Sequence, residues 1–524
     1  MCRDPHPHRR ASRLGCVVSA CLVLAACARA GISPTSAPAT ATSLPPAAPS
    51  QPAGVPAPQV LPYAWDDRSP FKSDLVPSAQ GILSGLPGAS VYHIDLVIHP
   101  DLASLTGTEE VLYTNRERVP LEAVHFRLFP NLLGGKMSVS NITLDGLPAV
   151  AKLAQQDSDL AVQLPEPLPP GARAVLRMDF SAQAPMGAGP GYATFVSQQG
   201  ILSLAQFYPL IPAYDAAGWH TEIPPVYGDV TYTDTSFYLV RVTAPENLVL
   251  AATGTALQQA RTGGQLVLLF AAGPVRDFYL QASAGYTTAS EKIGETTVNT
   301  YVLAQDQDAE AETLSFARSA FASYTRRFGD YPYTSFNISA SPTQALGVEY
   351  PQEVALALLL YGPSQGTPSL PRRVLEATEA HEIAHQWWYG VVGDDQVNQP
   401  WLDEAMAQYS TYLYFLDTYG ETAAQSYRQD WVGRWARVNS ADIVVGLPVS
   451  GYTAQNYGAI VYGRGPLFIE ALAKQMGQSR FDAFLKEYYR QFQYGSATTA
   501  GYEQLAEKVC GCSLSGLFQE WVGG

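Results

Sequence analysis

From about residue 87 the apolar and polar positions alternate. Tyr92, Ile94, Leu96 and Ile98 are interleaved with His93, Asp95, Val97 and His99. Val124, Phe126 and Leu128 alternate with His125 and Arg127, and Ala174, Leu176, Met178 and Phe180 with Arg177 and Asp179. A period of two, broken by turn clusters such as Leu168-Pro169-Pro170-Gly171, predicts an antiparallel β domain over residues 87–285. His93, His99 and His125 fall on the alternate, solvated faces, which makes them surface residues rather than ligands. The pattern changes near residue 306, where 309–327 reads as a helix ending before Phe328-Gly329-Asp330. Further helical stretches cover 372–389, 402–418, 423–437, 464–476 and 480–492, with shorter ones to the C-terminus. A β-rich half (87–285) followed by a mainly helical half (286–524) is an α+β arrangement of two domains. No internal repeat is visible.

The first 86 residues belong to neither domain. Arg3, Arg9, Arg10 and Arg13 precede an apolar stretch, Leu14 to Ala26, that is as long as a signal-peptide core and too short to span a bilayer comfortably. It ends in Leu24-Ala25-Ala26-Cys27, which resembles the lipobox of bacterial lipoproteins. The expectation is a signal peptide over 1–26 and a lipid on Cys27, placing the mature chain outside the cytoplasm. An ordinary signal peptide with an incidental cysteine is the plainer alternative. Residues 27–60, nearly all Ala, Pro, Ser, Thr, Gly and Gln, read as a disordered tether, and 61–86 as an extended lead-in.

Charge narrows the partners. The chain carries −15, and its first 26 residues hold four arginines and one aspartate, so the remainder carries −15 − 3 = −18. Such an acidic body argues against nucleic acid and against anionic lipid held through a basic face. Six cysteines fall to three after processing: Cys27, Cys510 and Cys512. Cys510-Gly511-Cys512 could close only a very small disulfide ring, so a buried or free thiol pair is expected there.

One constellation carries chemistry. In His381-Glu382-Ile383-Ala384-His385 the histidines stand at i and i+4 on one helix face, with Glu382 about 100° round. Two histidines on a solvated helix would share that spacing. A catalytic zinc needs a third protein ligand and one open position. Eighteen residues separate His385 from Glu404, in Pro400-Trp401-Leu402-Asp403-Glu404-Ala405, at the start of a second helix. A carboxylate favouring a helix N-terminus is the bland reading of Glu404. With the histidine helix beside it, the ligand reading is preferred.

These residues resemble the zinc signature of the aminopeptidase N-type family of gluzincins. Gly347-Val348-Glu349-Tyr350 is similar to the family's G-x-M-E-N exopeptidase motif, with Val348 for methionine and Tyr350 for asparagine. Val461-Tyr462-Gly463-Arg464-Gly465 is similar to its V-Y-E-K-G segment. Tyr227-Gly228-Asp229 and Val275-Arg276-Asp277-Phe278 resemble its β saddle, and Phe328-Gly329-Asp330-Tyr331-Pro332-Tyr333 the start of its catalytic domain. The resemblance implies an antiparallel β-saddle domain followed by a mainly helical thermolysin-like catalytic domain. It implies one zinc on His381, His385 and Glu404, Glu382 as general base, and Tyr462 as oxyanion donor. Glu349, with Gly347, Val348 and Gln206, would bind the N-terminus of a peptide substrate. The chain stops at Phe518-Gln519-Glu520-Trp521, so the C-terminal helical domain of many members is expected to be missing and the site more open. The expected function is zinc aminopeptidase. An endopeptidase on the same scaffold and a catalytically silent peptide-binding lipoprotein are the alternatives.

Overall fold

A computed structural model describes residues 42–43, 59–187, 189–362 and 370–523. The expectations for the signal peptide, for Cys27 and for nearly all of the tether fall outside the described residues. The described residues form one compact unit.

The alternation read from the sequence becomes a sheet with a dry face. Tyr92, Ile94, Leu96 and Ile98 are buried, and their strand, Val91–Ile98, lies inside an eight-stranded sheet. Of its seven strand pairs six are antiparallel: Val91–Ile98 pairs antiparallel with Ser104–Thr114 and parallel with Ser236–Pro245, and the other ladders are antiparallel. A smaller sheet built from Phe195–Gln198, Ile201–Leu204, Leu280–Ser283 and Val249–Ala252 carries the β half toward the site.

His93 corrects an expectation. It is buried at 1% exposure, stacked on Trp65 with ring centroids 4.3 Å apart. The cause is the lead-in, which covers the face that alternation alone assigns to solvent. Nor is the lead-in extended. It forms two 3₁₀ helices, Ser69–Ser73 and Pro77–Ser84, each with a proline in its first two positions, where the missing N–H costs nothing. Between them Asp74 is fully buried at the junction of the two halves. Its carboxylate accepts from Gly273 N at 2.9 Å, Thr255 Oγ1 at 3.1 Å and Gln352 Nε2 at 2.9 Å.

The second half contains helices α1 (Glu310–Arg327), α2 (Arg372–Ala384), α3 (Trp401–Tyr419) and α4 (Glu421–Ala436), then α5 (Ala454–Ala459) and α6 (Gly465–Met476). Three further helices, Gln478–Phe492, Thr499–Cys510 and Ser515–Trp521, complete it. It also holds a five-stranded sheet that periodicity does not announce, in the order 286–293, 296–303, 335–341, 353–357, 347–350. Ser341 and the five residues before it are all buried, as are Glu353–Ala357, so these strands have no polar face to alternate with. One continuous apolar core runs through both halves.

Cys510 and Cys512 form a disulfide, against the expectation of a thiol pair. Gly511 takes a left-handed conformation (φ +65°) that brings the two Cα atoms to 5.1 Å, within bonding range. Among the described residues no helix is long and apolar enough to cross a membrane.

Candidate active site

Helix α2 lies between α1 and α3 and is buried on nearly every side from Leu375 to Ala384. Burial fixes its rotamers, so His381 and Glu382 project from a rigid rod. The helix ends at Ala384, five residues short of the expected end, and His385 occupies the cap position with φ still near helical at −63°. Its imidazole therefore keeps the i+4 relation to His381. The Nδ1 of His385 lies 3.1 Å from the carbonyl of Trp388, which selects the tautomer with a proton on Nδ1 and a free lone pair on Nε2.

Glu404 arrives from the first turn of α3, its backbone N–H held by Asp403 Oδ1 at 2.6 Å. The three candidate ligand atoms converge. His381 Nε2 stands 3.1 Å from Glu404 Oε2 and 3.3 Å from His385 Nε2, and His385 Nε2 stands 3.5 Å from the same carboxylate oxygen. Zinc bonds of about 2.0–2.2 Å in a tetrahedron place neighbouring ligands about 3.3–3.6 Å apart. The observed triangle, with sides of 3.1, 3.3 and 3.5 Å, lies close to that spacing, and all three side chains are less than a tenth exposed. Two imidazoles and a carboxylate are also the donor types that zinc takes at catalytic sites. The residues present fit the metal.

The other expected residues gather around this triangle. Gly347–Tyr350 is the edge strand of the five-stranded sheet, antiparallel to Glu353–Ala357. It brings one carboxylate oxygen of Glu349 and one of Glu382, together with a nitrogen of His385, within 4.8 Å of one another. Gly347 has a steric reason to be glycine: a Cβ there would lie 2.4 Å from Glu382 Oε1. Val348 packs on Ala205, Tyr279 and Tyr350. Gln206 reaches the same place from the β half, its amide Nε2 donating to Asp277 Oδ2 at 2.5 Å. Tyr462 sits in a single π-helical turn, Ile460–Arg464, a local irregularity of the kind often found at functional sites, and its hydroxyl donates to Glu404.

Electrostatics follow from burial and crowding. Burial, then the charge of Glu349, pushes the Glu382 carboxyl well above its usual range. A divalent cation among the ligands would act in the opposite direction. Burial also opposes the charge on Glu404, but the adjacent histidines hold its carboxyl below the usual range. Burial, then Glu404, raises the Tyr462 hydroxyl well above the ordinary phenol value, so it is a proton donor at neutral pH.

Some members of the site have no motif to announce them. Gln396 Nε2 donates to Glu349 Oε1 at 2.7 Å and to Asp403 Oδ2 at 2.9 Å, and Thr231 Oγ1 donates to its carbonyl at 2.8 Å. Gln408 lies 3.3 Å from His381 Nδ1 and is itself held by Tyr427 and Trp431. Only their nearness to the motifs could have suggested them. A cleft of about 670 Å³, open solvent included, adjoins Glu349. Phe129, Leu132, Leu133 and Tyr192 give it apolar walls, and Gln206 and Asp229 add polar groups.

Comparison with known proteins agrees with this geometry. Residues 330–521 match the peptidase family M1 domain. The chain is 22% identical over 441 residues to human endoplasmic reticulum aminopeptidase 2, covering 77% of this chain and 43% of that protein. It is 22% identical over 466 residues to aminopeptidase M1 of Arabidopsis thaliana, covering 82% and 49%. The chain thus spans less than half the length of these curated relatives. Among solved structures, the M1 zinc metallopeptidase of Deinococcus radiodurans superposes with a TM-score of 0.61 at 22% identity, over 84% of this chain and 94% of that one. A mutant of the same protein bound to a Tyr-Ser-Ala substrate also scores 0.61 at 22% identity, over 83% and 95%. The fold, with its β half ahead of a helical half, is that of these metallopeptidases. Residues 330–521, most of the helical half, thus carry a peptidase family M1 domain.

Proposed function

We propose that this protein is a zinc-dependent aminopeptidase that removes N-terminal residues from peptides outside the cytoplasm. The observation that carries the reading is the buried His381–His385–Glu404 triangle, with Glu382 beside it and Glu349 within 4.8 Å of Glu382. Zinc held there supplies Lewis acidity, polarising the scissile carbonyl and making water a nucleophile at neutral pH.

The remaining work falls to the chain's own side chains. Glu382 takes the proton of the attacking water and returns it to the leaving amine, general base first and general acid second. Tyr462 donates its hydroxyl proton in a hydrogen bond to the developing oxyanion. Gly347 and Val348 lay an edge strand beside the substrate backbone. Glu349 accepts a charge-assisted hydrogen bond from the substrate's α-ammonium, which limits cleavage to the first residue. The apolar walls of the cleft, Phe129, Leu132 and Leu133, suit an apolar first side chain. The Tyr-Ser-Ala complex of the Deinococcus relative supports a peptide as substrate. For the N-terminus, Leu24-Ala25-Ala26-Cys27 and the tether behind it support export and a lipid anchor on Cys27.

The test of exopeptidase action compares a free-amine dipeptide with its N-acetylated twin, using wild type and Glu349→Ala. A hydrogen bond to a charged group is worth about 1.5–3 kcal/mol, more than tenfold in kcat/KM. Wild type should prefer the free amine by at least that factor, and Glu349→Ala should lose the preference. Equal cleavage of both by wild type replaces this reading with an endopeptidase.

A further inference from the structure

The segment around Asp229 comes from the β half but is held by both halves. Tyr192 Oη donates to the Tyr227 carbonyl at 2.8 Å, and Tyr227 Oη donates to the Tyr452 carbonyl at 2.7 Å. At Gly228 the backbone passes so close to Val449 that a Cβ would lie 2.7 Å from its Cγ1. Two residues beyond Asp229, Thr231 bonds the Gln396 that holds Glu349. The segment is therefore fixed in the wall of the cleft that Glu349 also lines.

Asp229 lines this cleft and makes no side-chain hydrogen bond to any described residue. Of the charges that bear on it most strongly, Glu349, Glu404 and Asp403 are all negative, and His385 alone opposes them. Beside it lies a second unmatched group: the hydroxyl of Tyr457, a residue 3% exposed, has no partner. Asp229 exerts the largest charge effect on that hydroxyl, and the Tyr457 ring stands 5.8 Å from that of Tyr462. A carboxylate without a hydrogen-bond partner, sharing a cleft with a second carboxylate and lying near an orphaned buried hydroxyl, suits a cationic group.

We propose that Asp229 is a substrate-binding residue that joins Glu349 and the carbonyl oxygen of Gln206 in a three-acceptor cradle for the α-ammonium of the peptide. An ammonium offers three N–H donors and no acceptor, which suits the three acceptors that line this one cleft. Gln206 is oriented for the part, since its amide nitrogen is committed to Asp277 and its carbonyl is left for the cleft. Glu349 already takes Gln396 on one oxygen and has no other side-chain donor. The cradle selects the α-ammonium over a basic side chain by distance. A cation bound at Glu349 stands next to the reacting centre, where the N-terminal nitrogen of a first residue lies, whereas a lysine or arginine head group lies several bonds farther out. The Tyr457 hydroxyl then has a charged partner in Asp229 or an acceptor on the bound peptide.

This inference rests on the aminopeptidase reading, and its test separates the two. Wild type, Asp229→Asn, Asp229→Glu and Glu349→Gln, each checked for zinc content and melting temperature, are assayed on a leucyl substrate, its N-acetylated twin and an arginyl substrate. Asp229→Asn should lower kcat/KM more than tenfold on both free-amine substrates, chiefly through KM, and leave the acetylated one unchanged. Asp229→Glu should recover part of the loss. Unchanged kcat/KM in Asp229→Asn, while Glu349→Gln fails, overturns the role of Asp229 and leaves the parent reading standing. A loss confined to the arginyl substrate also overturns it, because Asp229 would then read the side chain. A wild type indifferent to acetylation overturns both.

Discussion

Replacing Gly347 with alanine tests whether the edge strand positions the general base. The new Cβ would stand 2.4 Å from Glu382 Oε1, 2.5 Å from its Cγ and 2.6 Å from its Cδ. Carbon atoms in favourable contact sit about 3.5–4.0 Å apart, so the shortfall is about 1 Å. Glu382 is 4% exposed on a helix packed between two others and has little room to yield. Either its carboxylate moves or the strand recedes, and the second choice displaces Glu349 instead. A misplacement of about 1 Å at a reacting group costs on the order of 10²-fold in rate. Gly347→Ala should therefore lower kcat by about that factor on a free-amine peptide. Zinc content should be unchanged, since none of the close contacts at Gly347 is with a ligand. Wild-type kcat with full zinc would refute the reasoning, as would a fall in kcat that merely tracks zinc loss.

Burial pushes the Asp74 carboxyl up to about 7, despite donors from Gly273, Gln352 and Thr255, against about 3.9 in an unfolded chain. Between those values the folded protein holds the proton that the unfolded chain releases, so stability falls as pH rises from about 4 to about 7, by at most about 4 kcal/mol. Asn at 74 can keep Gly273 and Gln352 on its carbonyl and offer its amide to Thr255. Asp74→Asn should melt above wild type at pH 8, with the gap closing toward pH 4.5; parallel melting curves across that range would contradict this. Cys27→Ser should abolish lipidation and release the protein from membranes, and a wild-type mature chain without lipid mass would count against the anchor.

The motif residues were legible because each is bound to a local spacing. His381 and His385 need only a helix turn between them, and Glu404 needs only the start of the next helix. The β half was legible where one face of a strand is wet, as at Val91–Ile98. The central sheet of the catalytic half was not, because strands such as Glu353–Ala357 are buried on both faces and carry no alternation. His93 was misread for a related reason: its face is polar in sequence but dry in the fold, since Trp65, some thirty residues earlier, lies over it. The Cys510–Cys512 bridge depends on the backbone conformation of one glycine, which spacing does not reveal. Thr231 and Asp229 come from the β half, 150 residues or more before the zinc motif, and nothing along the chain ties them to it. Long-range folding brings them there.

The central claim is that His381, His385 and Glu404 hold one zinc while Glu382 moves the proton. Zinc content and turnover measured together on Glu382→Gln test it most directly, because that change removes the base and spares every ligand. About one zinc per chain is expected, as in wild type, with hydrolysis of the free-amine peptide abolished. Full turnover in Glu382→Gln, or a wild type that hydrolyses the peptide without zinc, would contradict it.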